Sequence, residues 1–179
     1  MREIEIKARI SNPTKLQETL KLKGIHLSKA VKQHDVVYCI LGSADNALDA
    51  NWLRIRTEND EKVIFTLKRS VVGHLDSIEH EVMVDSAEEL EAIIKLLGFE
   101  PYSDLTKIRQ KAQTGSLEIC VDIVPGLGDF IEVEKMMDKD ANHDTVVNEL
   151  WKFLNTLGIE KNAEEHLGYD VLERKKRWL

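Results

Sequence analysis

Glu3, Glu5 and Lys7 stand two residues apart in the run Glu3-Ile4-Glu5-Ile6-Lys7. Residues i and i+2 of an extended strand share a face, so two carboxylates and an ammonium point one way while Ile4 and Ile6 point the other. Paired carboxylates suit a hard divalent cation, and an ammonium beside them suits a phosphate oxygen. The split recurs in Arg54 and Arg56 against Leu53 and Ile55, in Lys107, Arg109 and Lys111 around Ile108, and in Glu132 and Glu134 around Val133. For any one strand, a sheet packed on helices with its other face in water is the simpler account. The set argues further: acids gather on some strands (Glu3, Glu5, Glu79, Glu81, Asp122, Glu132, Glu134) and bases on others (Arg54, Arg56, Lys68, Lys107, Arg109). If such a sheet curls with these faces inward, its confined charges need balancing by a ligand of both signs. A polyphosphate with Mg²⁺ or Mn²⁺ meets that need.

Those strands must be positioned by something, and four segments read as amphipathic helices. The first runs from about Pro13 to Lys23, with Asn12 as N-cap and Gly24 as stop. The second runs from about Ala87 to Leu97, with Ser86 and Glu89 as a capping box and Gly98 at its end. The third starts near Asn142 or His143 and stops at Gly158, and a fourth spans about Ala163 to Lys176. Alternating segments lie at Trp52 to Thr57, Val63 to Arg69, Ile78 to Val84, Lys107 to Gln113, Leu117 to Val124 and Phe130 to Lys135. Thr114-Gly115 and Pro125 to Gly128 read as hairpin turns, which makes the strands they join antiparallel neighbours. Three times, a strand with two acids two apart leads into a helix closed by a glycine: Glu3 and Glu5 to Gly24, Glu79 and Glu81 to Gly98, Glu132 and Glu134 to Gly158.

At 179 residues, one domain covering 1–179 is the default expectation. A net charge of -7 argues against a nucleic-acid binder held by a general electrostatic field. Cys39 and Cys120 lie far apart without histidines at zinc spacing, so they read as reduced, half-buried strand residues. The strand beginning directly after Met1 leaves no room for a signal peptide's apolar core, and no apolar run approaches the roughly 18 residues of a membrane span. The expectation is a cytoplasmic protein that binds neither membrane nor nucleic acid.

In order along the chain stand Glu3-x-Glu5-x-Lys7, Leu53-Arg54-Ile55-Arg56, Thr66-Leu67-Lys68, Glu79 and Glu81, Lys107-x-Arg109, Asp122, and Gly126-Leu127-Gly128-Asp129-Phe130-Ile131-Glu132-Val133-Glu134. This series resembles the CYTH, or triphosphate tunnel metalloenzyme, family, which includes class IV adenylate cyclases, thiamine triphosphatases and inorganic triphosphatases. The glycine-flanked stretch, with Tyr169 and Leu172 near the end, is similar to the class IV adenylate cyclase branch. The resemblance implies an α+β fold: a closed antiparallel β barrel of about eight strands with a charged lumen and helices packed outside. It implies Glu3, Glu5, Glu132 and Glu134 as metal ligands, with Asp122 and Glu81 as further ones. It implies Lys7, Arg54, Arg56, Lys68, Lys107 and Arg109 as triphosphate-binding bases, with Lys7, Lys68 and Arg109 carrying catalysis. Mg²⁺ or Mn²⁺ would be the cofactor, a small-molecule triphosphate the partner, and a homodimer is compatible with the family. Two departures stand out. The tyrosine of a common Asp-x-Tyr-Phe element is displaced to Tyr38, on the opposite strand face from Asp35, and Ser77 occupies a place where many members have arginine.

The implied reaction is either ATP to cyclic AMP and pyrophosphate or hydrolysis of thiamine triphosphate, inorganic tripolyphosphate or a nucleoside triphosphate. A module that binds polyphosphate or a nucleotide without turnover keeps the bases and makes the acids dispensable. Trp52, Trp151 and Trp178 read as packing residues, and the six scattered histidines carry no site, His80 facing outward between its acids. The Arg174-Lys175-Lys176-Arg177 run reads as a solvated helix end, with a lid as its functional alternative. For Gln33 and Asp35, a site role and a plain strand entry are equal readings.

Overall fold

The computed structural model describes residues 2–43, 51–71, 75–138 and 140–177. In chain order the elements are β1 (Arg2–Arg9), α1 (Pro13–Leu22), β2 (Val31–Ile40), β3 (Asn51–Glu58), β4 (Lys62–Ser70), β5 (Asp76–Val84), α2 (Ala87–Leu96), β6 (Phe99–Thr114), β7 (Leu117–Val124), β8 (Gly128–Met137), α3 (His143–Thr156) and α4 (Tyr169–Arg177). The strands close into a barrel in the order β1-β5-β4-β3-β2-β6-β7-β8, the α+β barrel that the charge alternation and the resemblance imply. Hairpins join β3 to β4, β6 to β7 and β7 to β8 as antiparallel neighbours, and β1 pairs antiparallel with β8. His74 and Trp178 lie outside the described residues.

Residue contacts fall into two compact units, one of Met1–Val31 with Ile108–His166 and one of Lys32–Lys107 with Leu167–Leu179. In the first, the Ile4, Ile6 and Ala8 face of β1 joins Ile119 and Val121 of β7 and Ile131 and Val133 of β8. Leu16 and Leu20 of α1 and Val146, Leu150, Trp151 and Leu154 of α3 cover them. Burying each such aliphatic side chain stabilises the unit by about 1.5–3 kcal/mol. In the second, Leu53, Ile55 and Tyr38 pack on Ile94 of α2. Tyr38 therefore takes the apolar face, opposite Asp35, as an odd offset of three residues along the strand requires.

The helix ends follow local chemistry. The Asn12, Ser86 and Asn142 side chains accept the backbone N–H of Lys15, Glu89 and Thr145 respectively. Gly98 and Gly158 have φ of +87° and +79°, the left-handed conformation that ends α2 and α3 and that a Cβ disfavours. The fourth helix departs from expectation. Only a 3₁₀ turn spans Lys161–Ala163; Glu164 then bridges to Ala8, Glu165 donates its N–H to the Lys7 carbonyl at 2.9 Å, and α4 begins at Tyr169 after Gly168. The backbone of 164–165 finds strand partners there, so helical hydrogen bonds are not needed. Cys39 and Cys120 are fully buried rather than half-buried, and both are free thiols.

Candidate functional site

Strand register brings the acids of the first unit together. Glu5 lies opposite Glu134 and Lys7 opposite Glu132 across β1 and β8. On the other side of β8, Glu118 lies opposite Glu134 and Cys120 opposite Glu132, and Asp122 faces Arg109 of β6. These side chains share the faces turned away from the core just described. Lys7, Arg109, Asp122 and Glu132 are all buried, so the reading of a charged face bathed in water fails for them.

Two kinds of cluster result. In the first, bases sit between acids: Lys7 Nζ is 3.1 Å from Glu132 and 3.7 Å from Glu5, and the Arg109 guanidinium donates to both Asp122 and Glu132. Arg109 stays cationic: burial alone would lower its pKa, but Glu132 and Asp122 beside it raise it well above the usual value. In the second, acids meet acids. Glu3, Glu5 and Glu134 each bring a carboxylate oxygen within 4.8 Å of the others, as do Glu118, Cys120 and Glu134 as a group with the thiol. Burial, then the charges of Glu3 and Glu5, and then a hydrogen bond with Glu118 push the Glu134 carboxyl up to about 10. Carboxylates crowded until one must hold a proton are a hard-oxygen set, and such a set fits Mg²⁺ or Mn²⁺.

The corresponding face of the second unit is dominated by bases, each with an acid beside it. Asp35 accepts both Nε and Nη2 of Arg56, at 2.7 and 2.8 Å, and lies 3.5 Å from Lys107 Nζ. Burial would raise the Asp35 carboxyl, but Arg56 and Lys107 outweigh it and hold the group far below the usual carboxylate range. Lys68 is 2.8 Å from Glu79, which also accepts from the Ser77 hydroxyl. Against burial, Lys68 and Arg54 draw Glu79 down to about 2. Arg54 donates to Thr66 and Glu81, both at 3.1 Å. The Lys107 ammonium sits 4.9 Å from the Tyr169 ring centre, and Arg174 stacks on Tyr102, which meets Trp52 edge-on at 4.7 Å. Arg174 thus leaves the solvated reading of its run, and Trp52 lies beside the charged face, pairing in register with Lys68.

Placed against expectation, Glu3, Glu5 and Glu134 come together; Glu132 lies between Lys7 and Arg109, Asp122 is bound by Arg109, and Glu81 joins Arg54 and Thr66. Glu118 is a site-face residue outside the sequence motifs, and Gln33 and Asp35, for which a strand entry is an equal reading of the sequence, are buried beside the bases. The signal was present as alternation: Glu118, Cys120 and Asp122 share a face, and so do Gln33 and Asp35. Among the described residues, no helix is long and apolar enough to cross a membrane.

The fold defines the class: a closed antiparallel β barrel that buries acids and bases on its strands. The family is given by comparison: the CYTH domain profile matches residues 1–169, and the chain belongs to that family. It is 31% identical over 170 residues to the Methanocaldococcus jannaschii protein named "Putative adenylate cyclase", covering 90% of this chain and 93% of that one. Among solved structures it resembles a conserved hypothetical protein from Pyrococcus furiosus, with a TM-score of 0.81, 23% identity, and 95% and 99% of the two chains covered. It also resembles the Hippeastrum "Putative adenylyl cyclase" described as having a dominant triphosphatase activity, with a TM-score of 0.60, 20% identity, and 94% and 91% covered. The two solved structures share its fold.

Proposed function

We propose that this chain is a divalent-metal-dependent enzyme acting on a small-molecule triphosphate, with conversion of ATP to cyclic AMP and pyrophosphate as its reaction. The observation that carries this reading is the crowding of Glu3, Glu5 and Glu134 within 4.8 Å of one another: burial and these neighbouring charges push the Glu134 carboxyl up to about 10, and a divalent cation would relieve the crowding. A cation held by these three carboxylates would offset charge on the substrate's phosphates. Mg²⁺ or Mn²⁺ fits the all-oxygen set.

The chain's own residues supply positioning and electrostatics. Lys7 and Arg109, each already held by carboxylates, offer fixed N–H donors to phosphate oxygens without rearrangement. Arg54, Arg56, Lys68 and Lys107 form the larger basic set; the acids now beside them, Asp35, Glu79 and Glu81, keep them in place. Lys68 and Lys7 serve as cations here, since each has a carboxylate within 3.1 Å. With the phosphates so oriented, the ribose 3′ oxygen displaces pyrophosphate from the α-phosphorus, and the 3′ hydroxyl proton leaves to solvent. Water attacking the terminal phosphate instead gives a triphosphatase, the reading that the Hippeastrum neighbour's described activity favours.

A product assay decides between them. The chain is incubated with ATP, tripolyphosphate or thiamine triphosphate in Mg²⁺ and in Mn²⁺, and products are resolved. Cyclic AMP with pyrophosphate supports cyclisation, while ADP with phosphate transfers the assignment to hydrolysis. Binding without turnover would leave a non-catalytic module. Glu5→Ala should abolish turnover; turnover that survives it would remove the metal assignment.

A further inference from the structure

Gln33 and Ser103 are neutral polar side chains on strands that also carry Asp35 and Lys107. Gln33 is two residues before Asp35 on β2, and Ser103 four before Lys107 on β6, both within the same unit. Their faces are fixed by a contact on the opposite side. His34 Nε2 lies 2.8 Å from Asp104 Oδ1, and both side chains are solvent-exposed. Alternation then turns Gln33 and Asp35, and Ser103 and Lys107, the other way. Burial agrees: from residue 103 to 107, Ser103, Leu105 and Lys107 are buried while Asp104 is exposed and Thr106 half-buried. Lys107 and Asp35, 3.5 Å apart, confirm that these faces meet.

Both neutral residues hold an unsatisfied atom. Gln33 and Ser103 are each 2% exposed, yet Gln33 Oε1 and Ser103 Oγ have no hydrogen-bond partner among the described residues. The Gln33 amide cannot turn over to hide this. Its Nε2 donates to Glu58 Oε1 at 2.8 Å, and a carboxylate only accepts, so Oε1 is left as the acceptor. Arg54 Nε, also on the charged face of this unit, is a third buried polar atom with no partner there. Buried polar atoms are nearly always satisfied, so each of these three calls for a partner, a ligand group or a water. Arg54 Nε is a donor suited to a phosphate oxygen. Gln33 Oε1 cannot take phosphate; it requires an N–H or O–H.

We propose that Gln33 and Ser103 form a neutral recognition point for the organic group of the triphosphate, Gln33 accepting an N–H or O–H from it, so that a nucleoside triphosphate is distinguished from bare tripolyphosphate. This rests on the reading that the Asp35, Arg56 and Lys107 face takes a triphosphate. A site built around a neutral acceptor discriminates through the partner it lacks, because the wrong ligand leaves that acceptor buried and unmet.

The test is a stopped-flow titration of the full chain in Mg²⁺, read before turnover, with ATP and with tripolyphosphate. Gln33→Met keeps the volume and removes the acceptor; Ser103→Ala removes the hydroxyl with little risk to folding, which a melting curve checks for both. The affinity ratio of ATP to tripolyphosphate should fall on the order of tenfold in each variant. Purine riboside triphosphate, which lacks the 6-amino group, identifies the donor: if Gln33→Met no longer matters with this analogue, the amino group is the donor, and if the effect persists, a sugar hydroxyl is. An unchanged ratio, or equal loss for both ligands, overturns the recognition point while leaving the triphosphate reading intact; an unchanged ratio would mean that a water meets Oε1. Wild-type protein that binds neither ligand overturns both.

Discussion

Glu134 shows what happens when strand register forces carboxylates together. Its pKa in the unfolded chain is near 4.5 and in the fold about 10. Between these values the folded state binds a proton that the unfolded state has released, so the contribution to stability is complete below about 4.5 and is lost as pH rises toward 10. The melting temperature of metal-free protein should therefore fall between pH 6 and 9, and Glu134→Gln should flatten that slope while weakening Mg²⁺ binding. Because the cation must displace the proton, Mg²⁺ affinity measured by calorimetry should rise over the same range. Glu79 has the opposite sign: drawn from 4.5 to about 2, it adds stability that is present above about 4.5 and lost as pH falls through 2. On the basic face, Asp35 is shared by Arg56 and Lys107. Asp35→Ala takes the shared carboxylate from between Arg56 and Lys107 and should cost about 3–5 kcal/mol in urea unfolding. Added tripolyphosphate should recover part of that loss by supplying the missing negative charge.

At the scale of elements, α3 has the clearest structural role. Leu150 and Leu154 are fully buried against β1, β7 and β8, the strands that carry Glu5, Glu118 and Glu134 on their other faces. Leu154→Ala should destabilise the fold by about 2–5 kcal/mol and lower metal affinity through loosened strands, with denaturant unfolding and calorimetry as the two readouts. Asn142→Ala removes the cap of the same helix and should cost only about 1 kcal/mol. The three strand-helix-glycine repeats were legible because each part is local: i and i+2 alternation, an oxygen-bearing cap, and a glycine free to adopt positive φ. The last helix was misplaced because Glu164 pairs with Ala8, a partner more than 150 positions away that no local pattern announces.

At the scale of the whole molecule, the carboxylate cluster of Glu3, Glu5 and Glu134 and the face carrying Arg54, Arg56, Lys68 and Lys107 should respond to ligands of opposite sign. Mg²⁺ and tripolyphosphate, each added alone, should raise the melting temperature, and each increment should grow with the logarithm of concentration above its dissociation constant. Chelation by EDTA should reverse the Mg²⁺ increment. A melting temperature indifferent to both would argue that the charges satisfy one another and hold no ligand.

The sequence by itself determined which residues share a strand face, where three of the helices begin and end, and the family to which the chain belongs, because all of these follow from short-range periodicity and ordered motifs. Tertiary structure decided that the charged faces are buried and which acid meets which base. Asp122 and Glu132 are claimed by Arg109, Glu81 by Arg54 and Thr66, and Glu134 is left among Glu3, Glu5 and Glu118. Those assignments depend on register between strands as distant as β1 and β8. A one-residue slip would turn every one of these side chains to the other face, and the packing of α1 and α3 on one apolar face and of α2 on the other, with the hairpin turns, opposes that slip.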